Sequence, residues 1–362
     1  MIARPAFAIA AGLFCLNGAL AQDYTRENLR IPAKGTGSSG LEAIMVRPAT
    51  SGRYPLVLLN HGSPREASDR KTMSPTAYLP QATEFARRGW AAVVVMRRGY
   101  GDSGGDYAER VGSCNNPDYV GASAASVADL RAAIVHLSSR PDIDPARIVS
   151  AGQSAGGFAT VALTANPPKG LVAGISFAGG RGSRSDDEVC REERLVEAMR
   201  QFGQRSRLPM LWVYAENDRF FGPALARKMR DAFVGAGGQV QFVQAPAFGR
   251  DGHSLFASGI PEWTPAVDQF LKAQRLVMRD ELLPLPPLPA IKPPANLSAS
   301  GRAGFDRYRA AAPHKAFAVS SNGSWGWRSG RRTARDAQDA ALKACADHAG
   351  DCRIVAIDDA TP

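Results

Sequence analysis

The sequence predicts an α/β fold, a mostly parallel sheet flanked by helices, followed by a small α+β module at the C-terminus. Three observations predict it. Short, β-branched apolar runs alternate with helical segments from about residue 54 to residue 276, the pattern of βαβ units. One such run, Ile148-Val149-Ser150-Ala151, enters Gly152-Gln153-Ser154-Ala155-Gly156 and then a helical stretch from Phe158 to Ala165. A proline-rich segment from Leu282 to Pro294, with neither helical nor strand period, then sets off a last stretch with apolar runs of its own.

The G-x-S-x-G pentapeptide is a weak signal alone, and the alternative is an ordinary Gly/Ser turn. Strand before and helix behind make it the context of a nucleophile elbow. So tight a turn requires very small flanking residues, Gly152 and Gly156. It lifts the Ser154 hydroxyl above the sheet with a helix N-terminus behind it, where the Ala155 N–H can receive a developing oxyanion.

The other elements follow in order. Leu56 to Asn60 reads as a buried strand, and His61-Gly62-Ser63-Pro64 follows it. A loop there can supply a second oxyanion donor; Pro64 has no N–H, so Ser63 is the candidate. His61 lies upstream of the nucleophile and reads as structural. Tyr78 to Arg88 is helical and ends at Gly89, and Ala91 to Met96 is the next strand. After it, Gly101-Asp102-Ser103-Gly104-Gly105 matches the pentapeptide around the nucleophile of trypsin-like proteases. That fold needs many β-strands and a His and an Asp far upstream of the serine; here the surroundings alternate strand and helix, and no matching upstream pair appears. The stretch reads instead as a substrate-side loop, with Tyr100 lining the pocket. Residues 106–119 read as an excursion over the site, Ala122 to Ser139 as a helix, Leu171 to Ala178 as a strand, and 181–204 as a small helical lid.

Pro209 to Ala215 is a strand, and Glu216-Asn217-Asp218 stands at its end, where an acid partner of the base belongs. Asp218 is the choice over Glu216, with Asp251 second; an exposed loop aspartate is the bland alternative. Pro223 to Val234 reads as a helix and Gln239 to Val243 as a final strand. His253 follows in a Gly-rich loop, where a general base can reach Ser154. His136, His314 and His348 fit poorly. A last helix runs from about Pro265 to Leu276. In the tail, 316–320 and 354–357 read as strands, Trp325-Gly326-Trp327 as a turn into another, and 334–346 as a helix. Trp325 and Trp327 are expected in its small core rather than on a ligand.

The chain begins with Arg4, an apolar run from Ala6 to Leu20 and Ala19-Leu20-Ala21, the pattern of a secretory signal peptide. No transmembrane segment is read. Cys15 lies in that run, which leaves four cysteines, and four allow three connectivities. Proximity favours Cys345–Cys352, hence Cys114–Cys190, in an exported periplasmic or secreted protein. No spacing resembles a zinc site. The net charge of +10 reads as a solvated basic surface, with attraction to an anionic envelope surface as an option. No nucleic-acid motif is present. The expected domains are 1–21 signal peptide, 22–276 catalytic, 277–300 linker and 301–362 module.

Ser154, Asp218 and His253 in that order, the His61-Gly62 loop and the Arg98-Gly99-Tyr100-Gly101-Asp102-Ser103-Gly104 segment together resemble the α/β-hydrolase superfamily. Within it they are most similar to the dienelactone hydrolase-like and prolyl-oligopeptidase-like branch, over about Tyr54 to Leu276. Dienelactone hydrolase proper uses a cysteine where this chain has Ser154, which favours ester or amide hydrolysis. The expectation is a carboxylesterase using Ser154, His253 and Asp218, with an oxyanion hole of Ala155 and Ser63 and no cofactor or metal. A prolyl-oligopeptidase-like peptidase is the second reading, and a binding protein on a hydrolase scaffold the third.

Overall fold

The computed structural model describes residues 23–362; the signal-peptide pattern and Cys15 lie outside them. In chain order the elements are β1 (Tyr24–Ile31), β2 (Leu41–Pro48), β3 (Tyr54–Asn60), α1 (Leu79–Arg87), β4 (Ala91–Val95), α2 (Tyr119–Ser138) and β5 (Ile143–Gln153). Then come α3 (Ala155–Thr164), β6 (Leu171–Phe177), a two-strand hairpin β7 (Ser183–Ser185) and β8 (Glu188–Val189), α4 (Glu192–Arg205), β9 (Pro209–Ala215) and α5 (Pro223–Gly235). β10 (Gln239–Ala245), the short α6 (Leu255–Ser258) and α7 (Ile260–Ala273) complete this part. The last part holds α8 (Ala299–Ala310), β11 (Ala316–Val319), β12 (Trp325–Arg328), α9 (Ala334–Ala346) and β13 (Arg353–Ile357).

Eight strands form one sheet in the order β1-β2-β4-β3-β5-β6-β9-β10. From β4 to β10 all neighbours are parallel, and β2 is antiparallel to both of its partners. Strands buried on both faces by helices need no polar side, which is why β3 and β4 are wholly buried and apolar but for Asn60 at the end of β3. β1 and β2 are not among the expected strands. β1, with its Arg and Glu residues and half-exposed pattern, is a polar edge strand that periodicity alone does not set apart.

β4 lies on one side of β3 and β5 on the other, so the chain changes direction at this point. A crevice opens at the carboxyl ends of strands where an α/β sheet reverses. The loops after β3, β5, β9 and β10 all end there.

α4 is not the lid expected over 181–204. Its apolar face, Leu195, Met199 and Phe202, packs with Phe158, Trp212 and Met229 in the core beneath the sheet. Only the β7–β8 hairpin remains as an outer insertion. α2, the one described helix long and apolar enough by composition to cross a membrane, packs Leu130, Ile134 and Leu137 on the sheet.

The C-terminal module is a three-stranded antiparallel sheet, β12-β11-β13, covered by α9. Trp325-Gly326-Trp327 is itself β12 rather than a turn. Gly326 lets α9 approach closely: a Cβ there would meet the Cys345 backbone N at 2.5 Å. Trp325 stacks on Phe317, with ring centroids 5.8 Å apart. α8 is a further element not expected from sequence, N-capped by Ser298, whose hydroxyl accepts the Gly301 N–H. The proline-rich segment lies against the first part: Leu283 N–H donates to Arg87 O, and Arg87 Nε donates to Leu283 O at 2.8 Å. Cys114–Cys190 and Cys345–Cys352 are disulfides, which suit an oxidising, extracytoplasmic environment.

Candidate active site

Ser154 sits between β5 and α3 with φ 54° and ψ −122°. A non-glycine residue there carries strain of about 1–3 kcal/mol, held by the surrounding structure. The turn closes because its neighbours lack side chains: a Cβ on Gly152 would lie 2.4 Å from Gly156 O, and one on Gly156 2.2 Å from Asn60 O. Ala155 opens α3, so its N–H has no acceptor within the helix. Among the described residues neither Ala155 N–H nor Ser63 N–H donates to a protein acceptor. The Gly62 N–H is occupied, donating to the Tyr78 hydroxyl at 3.2 Å.

Asp218 follows β9 and is 2% exposed. One carboxylate oxygen accepts the N–H groups of Phe220 and Phe221, at 2.8 and 2.9 Å. The other accepts from His253 Nδ1 at 3.1 Å. The loops carrying the two are stitched together by Asn217, which accepts from Phe248 N–H and donates to Phe248 O. Asp251, the second choice of acid, holds backbone instead: its Oδ1 accepts from Arg219 N–H and His253 N–H. Gln153 Nε2 donates to His253 O at 2.8 Å, tying the histidine loop to the elbow.

Ser154, His253, Ser63 and Gln153 line one open cavity of about 580 Å³. Asp218 stands behind His253. Sequence reasoning missed much of the rest of the wall, including Arg65, Tyr78, Phe220 and Arg331. Phe220 stacks on the His253 ring and carries the Arg65 guanidinium on its other face, 3.6 Å from the ring centroid. Arg65 is in turn held by Asp186 and Ser183 of the outer hairpin. Only the position of Phe220 two residues past Asp218 offered a local signal for any of these.

Tyr100 is not on the pocket wall. It is fully buried behind it, with its hydroxyl 2.9 Å from Ser63 Oγ and 3.0 Å from Glu109 Oε2. The reason is Glu109, a buried carboxylate clasped by Arg97 and Arg181. Burial alone would raise its pKa, but the Arg181 and Arg97 charges overcome that and hold it well below the usual carboxylate range. Arg97 also donates to His61 O, and its N–H to His61 Nε2 at 3.0 Å. Burial, with Arg97 beside it, pushes His61 down, so the ring is neutral and its Nδ1–H donates to Gly62 O. His61 thus shapes the loop. Ser103 is also structural: its hydroxyl accepts Glu42 N–H and donates to Met96 O. The Gly101–Gly105 loop expected on the substrate side meets the C-terminal module instead, where Asp102 pairs with Arg332.

This architecture is that of an α/β-hydrolase, and the protein is a hydrolase of the serine esterase and peptidase class. Residues 37–234 match the X-Pro dipeptidyl-peptidase (S15 family) model, and the chain belongs to that family. No curated protein matches it in sequence. Among solved structures it is similar to the Pyrococcus horikoshii acylaminoacyl peptidase, at 17% identity and a TM-score of 0.53. That match covers 73% of this chain and 44% of the peptidase. Thermogutta terrifontis esterase 2, in a form phosphoramylated by tabun, is 18% identical with a TM-score of 0.50; 70% of this chain and 97% of the esterase are covered. At these identities the likeness is one of fold.

Proposed function

We propose that the protein is an exported serine carboxylesterase, with Ser154 as nucleophile, His253 as general base and Asp218 as its acid partner. The observation that carries this is the His253–Asp218 hydrogen bond at the wall of the cavity onto which Ser154 opens. Ser154 attacks the ester carbonyl as its proton passes to His253 Nε2. Asp218 keeps the Nδ1–H tautomer and stabilises the imidazolium. The unoccupied N–H groups of Ala155 and Ser63 receive the oxyanion, and such a donor is worth about 100- to 1000-fold in rate. Collapse of this intermediate breaks the ester C–O bond and expels the alcohol with the proton from His253. Water, deprotonated by His253, then attacks the acyl-enzyme and releases the acid, the proton returning to Ser154. In this reading residues 22–276 are the catalytic domain, 277–300 the connection and 301–362 the added module, and the N-terminal signal pattern directs export.

The family match supports a second reading, a peptidase releasing dipeptides. Such an enzyme must hold a terminal ammonium, which calls for carboxylates facing the cavity. The lining contains one, Asp69, against the guanidiniums of Arg65 and Arg331, and this favours the ester. The test is fluorophosphonate labelling of the oxidised protein with Ser154→Ala alongside, followed by p-nitrophenyl esters and X-Pro anilides. Labelling lost in the variant, with ester turnover, is expected. Anilide turnover exceeding ester turnover selects the peptidase, and an unlabelled wild type overturns both.

A further inference from the structure

The wall of the cavity opposite the hydrolase loops comes from the C-terminal module. Ser329, Gly330 and Arg331, in the turn between β12 and α9, line the same space as Ser154 and His253. Their position is held from both sides. Arg332 donates to Met73 O at 2.7 Å and to both oxygens of Glu42, at 3.2 and 3.0 Å, and pairs with Asp102. Gly330 has φ +63° and packs so tightly that a Cβ would lie 2.5 Å from Ala77 Cα. Within the module, Gly330 N–H donates to Pro313 O and Arg331 N–H to His314 O, while His314 Nδ1 is 3.0 Å from Arg331 O.

The cations around this space differ in what they already hold. Arg332 is spent on Glu42 and Asp102, and Arg65 on Asp186, Ser183 and the Phe220 face. The Arg331 side chain is partnered by nothing among the described residues. Its Nε is buried without an acceptor, and its guanidinium forms no ion pair among the described residues. Leaving such a donor unsatisfied costs about 1–3 kcal/mol, more for a charged group. A planar guanidinium meets a carboxylate through paired hydrogen bonds, so an anion of that geometry is the partner this side chain suits.

We propose that the module completes the substrate cavity and that Arg331 receives a carboxylate carried by the substrate, which makes the preferred substrates anionic half-esters or esters of carboxylated alcohols and phenols. This deepens the esterase reading and rests on it for turnover, though not for binding.

Two matched pairs locate the charge. p-Nitrophenyl hydrogen adipate against p-nitrophenyl hexanoate places it on the acyl side; 4-carboxyphenyl butyrate against 4-acetylphenyl butyrate places it on the leaving group. The wild type is expected to favour the charged member of one pair by about tenfold or more in kcat/KM. Arg331→Gln should erase that preference, mostly through KM; Arg331→Lys should restore part of it. Gly330→Val, which cannot seat against Ala77, should lose the same preference without touching Arg331. A charged-to-neutral ratio equal in wild type and Arg331→Gln for both pairs overturns the proposal, as does an undisturbed preference in Gly330→Val. Calorimetry of monomethyl adipate on Ser154→Ala, with and without Arg331→Gln, separates this from failure of the esterase reading. Affinity unchanged by Arg331→Gln overturns the carboxylate site whatever the turnover shows.

Discussion

Phe220 lies flat against His253, with ring centroids 3.9 Å apart and planes 11° from parallel. In the proposed mechanism His253 points one nitrogen at Asp218 and the other toward Ser154, which leaves a rotation to fix. The Phe220 face fixes it, and Arg65 presses on the opposite side of that ring. Phe220→Ala is therefore expected to lower kcat/KM by about 10- to 100-fold, since a small misplacement of a reacting group has that effect. The rate of fluorophosphonate labelling should fall in parallel, and Phe220→Tyr should retain both. Loss of fold, read by circular dichroism, would be the contrary result.

Asp218 and Asp251 both touch the histidine loop, but at different atoms. Asp218 accepts from the imidazole; Asp251 accepts from backbone N–H groups. Asp218→Asn can present its amide to Nδ1 and so favour the wrong tautomer, and a fall of about 10⁴ in kcat is expected. Asp251→Asn keeps a carbonyl oxygen for the same N–H donors, and its loss should stay within about tenfold. Steady-state kinetics of the two variants decides between the acids.

Glu109 gives the protein an acid-sensitive keystone. With its pKa held low in the fold, the stability it contributes is fully present above its unfolded value near 4.3 and is lost as pH falls toward the folded one. Glu109→Gln leaves Arg97 and Arg181 buried without their anion, and a loss of about 3–5 kcal/mol is expected at neutral pH. Denaturant titrations should show that difference constant from pH 8 to about pH 5 and shrinking below about pH 4. A difference that grows in acid would contradict the assignment.

The two disulfides close loops of very different length, with sequence separations of 76 and 7. Loop-closure entropy predicts that replacing Cys114 and Cys190 by serine costs about 4.5 kcal/mol, against about 2.5 kcal/mol for Cys345 and Cys352. The first pair also holds the excursion that carries Glu109. Guanidinium unfolding of the two double variants should preserve that order, and a reversed order would place the strain elsewhere.

What the sequence determined by itself was local. The elbow was legible because strand, pentapeptide and helix are contiguous, and the need for glycine at 152 and 156 follows from the turn alone. The main strands of the parallel sheet were legible as short continuous apolar runs, and α9 as an alanine-rich run, both local signals. β1 was not, because a polar edge strand has no apolar period to betray it. Tertiary structure decided the rest. Tyr100 ended buried because Glu109 and two arginines, distant in sequence, gather behind it. The segment expected to be a lid became a core helix because its apolar face found α5 and Trp212. The cavity wall draws Arg65, Tyr78, Phe220 and Arg331 from four separate stretches. No spacing along the chain encodes such convergence: it is set by packing between surfaces, and in the case of Arg331 by one glycine and one arginine that dock a whole module beside Ser154.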